Sequence, residues 1–183
     1  MDTIRKEMKN CSKAFEMLLE GSRIPVGHTH IKCHLIFDVK HGSLERKARY
    51  VAGGHMTAPP ASITYASVVS RESVRIAFVL AALNGLEIEV ADIGNTYLNA
   101  PTNEKIVITC GLEFGAQFEG RLAKIVRAQY GLKGSGQAWR SHLAKVLLDD
   151  QNLGFHICKA DNDVWYKSAT KPDGTKCYEY ILV

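Results

Sequence analysis

The sequence has no C-x-x-C pair, no nucleoside-triphosphatase loop, no long apolar run, no internal repeat and no low-complexity tract. Its five cysteines stand at 11, 33, 110, 158 and 177. An odd and scattered set is neither a disulfide framework nor a zinc ribbon. It fits a reducing, intracellular setting. The longest apolar stretch, residues 76–83, begins beside Arg75 and is far too short to span a bilayer. The first residues, MDTIRKEM, are charged, which is not the pattern of a secretory signal. No membrane partner is therefore expected.

What is present is ordinary for a globular chain. The 183 residues are enough for one domain with a real core. At 46% apolar and 23% charged, the composition argues against dominant disorder. The net charge is +4 and the pI about 8.8. A mild basic excess suits a phosphate-bearing partner and equally suits a solvated surface.

Periodicity predicts a helix over residues 3–20, with Ile4, Met8, Phe15, Leu18 and Leu19 near one stripe and Gly21 ending it. Residues 35–40 and 47–52 read as a hairpin around His41, Gly42 and Ser43. Irregular chain is expected at Gly53, Gly54, Pro59 and Pro60. Ser70 is a good N-cap for a helix over 71–84, which Gly85 stops. Residues 86–90, LEIEV, alternate apolar and charged, as a half-buried strand does. Residues 106–109 and 122–126 are short strands. A helix is expected over 138–150 with Trp139, Leu143, Val146 and Leu147 inward. Residues 164–167 and 178–183 read as strands joined across the turn KPDGT. The mixture lacks a strict βαβ rhythm, so the class is α+β with a mostly antiparallel sheet packed with helices.

Asp92 is the most informative residue. It has the parity of Leu86, Ile88 and Val90, so a regular strand would end an apolar face on a carboxylate. That is costly unless the group is paired, hydrated or metal-bound. Gly94 would let backbone approach a ligand, and Tyr97 lies on the next turn. Capping of the turn at Asn95 and Thr96 is the plainer reading. Residues 130–139, YGLKGSGQAW, open a helix with Gly131, Gly134 and Gly136 beside Lys133 and Ser135. Such a segment can meet a phosphate or a base edge, or serve only as a flexible helix start. Lys47 and Arg49 are two apart on a strand and share one side. They suit a triphosphate or a template backbone, or a charged edge strand. His28, His30, Cys33, His34 and His41 do not match zinc spacing. Asp161 and Asp163 flank Asn162 as an Asx turn does.

Five segments together resemble copia-type retrotransposon reverse transcriptases, the RNA-directed DNA polymerase region of a Gag-Pol polyprotein. Residues 46–52, RKARYVA, look like the family's K-A-R-x-V-A strand. Residues 67–76, SVVSRESVRI, look like the helix start after the fingers. Residues 90–101, VADIGNTYLNAP, are similar to the polymerase motif D-[VI]-x-x-A-[FY]-L-[NH]-[GA]. YGLKGSGQAW is similar to Y-G-L-K-Q-[SA]-P-R-A-W, and residues 160–165, ADNDVW, resemble D-P-x-[LV]-[FY]. The blocks keep the family's order and cover residues 30–183.

The resemblance implies the fingers and partial palm of a right-hand polymerase. It places fingers at about 1–85 and 101–133, and palm at about 86–100 and 134–183, in a single truncated domain. It implies two magnesium ions assisting attack of a primer 3′-hydroxyl on a nucleotide. Asp92 would be the first metal-binding, catalytic carboxylate, with the Ile93 carbonyl near the metal. Tyr97 would be the steric gate against a ribose 2′-hydroxyl. Lys47 and Arg49 would face the triphosphate or template. Gly94, Gly131, Lys133 and Ser135 would meet the nucleotide. The implied partners are an RNA or DNA template-primer and a deoxynucleotide, and the implied location is a cytoplasmic virus-like particle of the parent element. The chain departs from the pattern at Gly94, Asn95, Gly136 and Gln137. The family continues past a strand like residues 180–183 into Y-V-D-D, which supplies the other catalytic aspartate pair. That pair is absent here, so the expectation is a polymerase fragment with little activity alone. The alternatives are a catalytically dead element remnant and a domesticated nucleic-acid-binding scaffold.

Overall fold

A computed structural model describes residues 2–58, 64–151 and 153–183. In chain order the elements are α1 (Asp2–Cys11), β1 (Phe15–Met17), β2 (Thr29–Ile31), β3 (Cys33–Val39), β4 (Arg46–Ala52), α2 (Arg71–Asn84), β5 (Pro101–Thr109), β6 (Leu122–Arg127), α3 (Ser135–Leu148), β7 (His156–Ile157), β8 (Val164–Thr170) and β9 (Lys176–Leu182). The class is α+β, and every strand pairing except one is antiparallel. The chain divides into two units. The first comprises residues up to Tyr65 together with Gly94–His142, and the second comprises Ala66–Ile93 with Leu143–Val183.

The first unit is built on a four-stranded sheet in the order β1-β6-β5-β2, with β2 parallel to β5. Its core gathers Cys11, Phe15, Ile31, Tyr50, Ile108 and Ile125. Phe15, Tyr50 and Phe114 meet edge to face with centroids 5.1–5.8 Å apart. Beside the sheet stands the β3–β4 hairpin, in register from Cys33↔Ala52 to Val39↔Arg46. The hairpin turns where His41, Gly42 and Ser43 predict it, with Gly42 at φ 93°.

The helix expected over 3–20 stops at Cys11. A short 3-10 turn follows, and Phe15–Met17 joins β6 as a strand. The apolar stripe is real, but burial decides its use. Cys11 and Ala14 are fully buried at the turn, and Phe15 gains more by filling the sheet's core than by extending a helix. The break expected at Pro59 and Pro60 lies outside the described residues.

The second unit is a three-stranded sheet, β7-β8-β9, with α2 and the last part of α3. Helix α2 has the expected bounds. The Ser70 hydroxyl accepts from the Ser73 amide at 3.1 Å, and Gly85 ends the helix in the left-handed region. The expected strand over 86–90 does not form. Nothing among the described residues pairs with it, and Ile88 and Val90 are exposed. Alternation marks a face, but a strand exists only with a hydrogen-bonded neighbour. Helix α3 starts three residues earlier than expected and ends two earlier. Leu147 is its fully buried contact with Phe155 and Trp165, flanked by Leu143 and Ala144, while Val146 is exposed.

Asp161 ties this unit together. Its carboxylate accepts from the Ser73 hydroxyl at 2.6 Å, the Ser70 amide at 3.1 Å and the Asp163 amide at 3.0 Å. The Ser73 bond, then the two amide bonds, hold its carboxyl well below the usual carboxylate range. A depressed carboxylate stabilises the fold above its unfolded value, about pH 4, and that gain is lost as pH falls further. Asp161→Asn is therefore expected to lower the midpoint of thermal unfolding at neutral pH. It is also expected to flatten the fall in stability between about pH 4 and pH 2, read by circular dichroism melts across that range.

Candidate nucleotide-facing site

Strand β4 places Arg49 opposite Ile36 and Lys47 opposite Asp38, so both cations share one face of the hairpin. The other face, carrying Ala48, Tyr50 and Ala52, is buried. The strand thus points Lys47 and Arg49 away from the core. The Arg49 guanidinium lies 5.8 Å from the centre of the Tyr130 ring. A planar cation over an aromatic face is an attractive arrangement. Tyr130 in turn meets Tyr97 edge to face at 5.0 Å. Tyr97 is carried on the short 3-10 helix Thr96–Asn99, which follows Asn95 at φ 54°. Both rings are half-buried.

The loop that holds Tyr130 is fastened from below. Gln129 is fully buried, and its Nε2 donates to the Tyr50 carbonyl at 2.6 Å. The buried Ser135 hydroxyl donates to the Gln129 carbonyl at 2.6 Å and accepts from its amide at 3.1 Å. The Ala52 amide donates to the Tyr130 carbonyl at 2.7 Å. Gly131 sits at φ 92°, where a Cβ would lie 2.1 Å from the Ala52 carbonyl oxygen. Lys133 Nζ donates to the Thr57 carbonyl, and the Gly134 amide donates to Glu104 Oε1 at 2.9 Å. Gly131, Lys133 and Ser135 therefore act on the protein itself: Gly131 lets the loop approach Ala52 of β4, Lys133 holds Thr57 and Ser135 holds Gln129. Gly94 differs, because a Cβ there would meet nothing within 4 Å.

The core beneath this face is chemically quiet. Burial pushes the Cys11 and Cys33 thiols up to about 12. Burial, then the neighbouring Cys33 and Glu113, pushes the Tyr50 phenol up as well. Neutral thiols are poor nucleophiles, so these cysteines serve packing. The Tyr50 hydroxyl donates to Glu113 at 3.0 Å.

Asp92 and Ile93 belong to the second unit, Gly94 and Tyr97 to the first. Asp92 is exposed on irregular chain. Among the described residues no group of three or more histidine, cysteine or carboxylate side chains stands ready to hold a metal. A divalent cation needs converging oxygens, and one exposed carboxylate does not provide them. The residues present do not by themselves fit a two-magnesium centre. Within the histidine-rich stretch, His30 Nε2 lies 2.9 Å from the Thr109 hydroxyl.

Sequence reasoning put Tyr97 and Arg49 in roles of their own and left out Tyr130, the ring that joins them. The signal was available, since Tyr130 opens the YGLKGSGQAW segment. Its importance lies in a contact across 81 residues of chain to Arg49, which no spacing rule exposes.

A family profile described as reverse transcriptase (RNA-dependent DNA polymerase) matches residues 19–171. The retrovirus-related Pol polyprotein from transposon RE1 of Arabidopsis thaliana is 30% identical over 149 residues, which is 77% of this chain and 10% of that relative. The chain thus spans about a tenth of that relative's length. No solved structure matches it. Among the described residues no helix is long and apolar enough to cross a membrane.

Proposed function

The chain belongs to the reverse transcriptase (RNA-dependent DNA polymerase) family, and on that premise we propose that its first unit holds a deoxynucleoside triphosphate for a copia-type, right-hand polymerase. The observation that carries the reading is the Arg49–Tyr130–Tyr97 arrangement. Arg49 and Lys47 supply cations on one face of β4 for the triphosphate or the template backbone. Tyr130 supplies a ring at their edge. Tyr97 stands against that ring, where a sugar carrying an extra hydroxyl would meet it. Each part does something magnesium does not: it binds, orients and selects.

Magnesium, when bound, would lower the barrier to attack by a primer 3′-hydroxyl. Asp92 would be one of the carboxylates that hold it. The exposure of Asp92 on irregular chain motivates a second reading for the chain taken alone. In that reading it binds nucleotide and template and does not polymerise.

Titration of the full chain with a fluorescent dATP tests the proposal. Arg49→Ala is expected to weaken binding about 10- to 100-fold, the effect of losing a charge-assisted contact. Lys47→Ala should weaken it less. Binding by the wild-type chain that neither substitution changes would contradict the proposal. In primer extension with magnesium the second reading expects no template-dependent product. Clear synthesis would overturn that reading and leave the nucleotide site standing.

A further inference from the structure

The β7-β8-β9 sheet has two unlike faces. Register sets Trp165 opposite Ile181, and both pack with Leu143, Ala144 and Leu147 of α3. The alternate residues face the other way. His156 lies opposite Tyr166, Tyr166 opposite Tyr180, and Tyr178 two residues from Tyr180 on the same strand. The rings form one row: His156 to Tyr166 at 5.8 Å, Tyr166 to Tyr178 at 6.1 Å, and Tyr178 to Tyr180 at 6.4 Å. The row is open. Tyr178 is 50% exposed and Tyr180 36%.

Three tyrosines and a histidine on an exposed sheet face bury little for the fold. Their flat faces suit flat ligands. The charges nearby also have a sign. Strand parity places Lys176 on the aromatic face, with Ser168 and Thr170, and its Nζ donates to the Thr170 hydroxyl at 3.0 Å. Glu179 falls on the opposite face, where it pairs with Lys167 at 3.1 Å. No strand residue of the aromatic face carries a carboxylate. Rings flanked by a cation and hydroxyls, without an anion among them, complement stacked bases and their phosphates.

We propose that this face is a stacking platform for the unpaired bases of a single-stranded nucleic acid. Single strands are the occupant because a paired base keeps its faces inside its own helix and offers none to a sheet. The inference rests on the reading that the chain handles nucleic acid. It assigns the nucleic-acid strand to residues of the second unit, none of them among the nucleotide-facing residues of the first.

Fluorescence anisotropy of the full chain with labelled oligo(dT) tests it. The Tyr178→Ala, Tyr180→Ala double variant should bind at least about tenfold more weakly, the loss expected from removing stacking rings. The Tyr178→Phe, Tyr180→Phe variant should stay within about twofold, because phenylalanine keeps the ring. The slope of affinity against salt should be the same in both, since phosphate contacts are untouched. Both side chains are exposed, and far-ultraviolet circular dichroism confirms that each variant is folded.

Wild-type affinity in the alanine variant overturns the platform, as does failure of the wild-type chain to bind oligo(dT). So does a preference for blunt duplex over single strand. Loss of oligo(dT) binding in Arg49→Ala with no effect of the tyrosines moves the strand to the first unit and leaves the nucleotide proposal intact. Tyrosine-dependent oligo(dT) binding without dATP binding supports the platform and overturns the nucleotide proposal alone.

Discussion

Gly131→Ala is expected to destabilise the first unit strongly. Two costs add at this position. The backbone sits at φ 92°, which a residue with a Cβ adopts only under strain of about 1–3 kcal/mol. The new methyl would also lie 2.1 Å from the Ala52 carbonyl oxygen and 2.8 Å from Val51 Cγ1. Those are atoms of a packed strand, and a backbone atom cannot step aside as a flexible side chain does. Relief requires the loop to lift from β4, which breaks the bond from the Ala52 amide to the Tyr130 carbonyl. A total near 4 kcal/mol is expected. That is a large part of the stability of an ordinary domain. Urea unfolding followed by near-ultraviolet circular dichroism measures it. Gly94→Ala is the control, because its Cβ meets nothing within 4 Å. It should change stability by less than about 0.5 kcal/mol. Equal effects of the two substitutions would contradict the seated loop.

Trp165→Ala is the second large effect, in the other unit. Trp165 is 2% exposed and is the largest member of a buried cluster that otherwise holds Leu147 and Phe155. With so few buried residues, the neighbours cannot close the space. A loss of about 3–5 kcal/mol is expected, and the three-stranded sheet should lose its order with it. Trp165→Phe keeps much of the volume and should cost less. Leu148→Ala lies next to the cluster in sequence but is 44% exposed, and should cost under about 1 kcal/mol. Hydrogen exchange at the β8 and β9 amides reads the difference. Undiminished protection in Trp165→Ala would show that the cluster does not hold the sheet.

How legible the molecule was depended on where each instruction lies. Helix α2 carries its start and stop within itself, at Ser70 and Gly85, and its bounds follow from the sequence. The β3–β4 and β8–β9 hairpins are local too, with turn residues between alternating strands. Phe15–Met17 was read as helix because the stripe 4, 8, 15 is helical in period. Its strand state depends on β6, more than a hundred residues away. Residues 86–90 failed in the opposite sense: their pattern is that of a strand, and no described strand pairs with them. The site shows the same divide. Lys47 and Arg49 on one face follows from strand parity alone. That Ser135 is engaged by Gln129 and Lys133 by Thr57 does not, because the first depends on how the 129–135 loop folds back on itself and the second on a partner 76 residues away. A glycine-rich helix start looks the same in sequence whether it cradles a ligand or its own chain.

Arg49→Lys tests most directly whether the Arg49 guanidinium, laid on the Tyr130 ring, anchors a nucleotide, because lysine keeps the charge and loses the planar fork and the ring contact. In dATP titration the Arg49→Lys chain should bind nearly as weakly as Arg49→Ala. Wild-type affinity in Arg49→Lys would contradict the claim, since charge alone on β4 would then be enough.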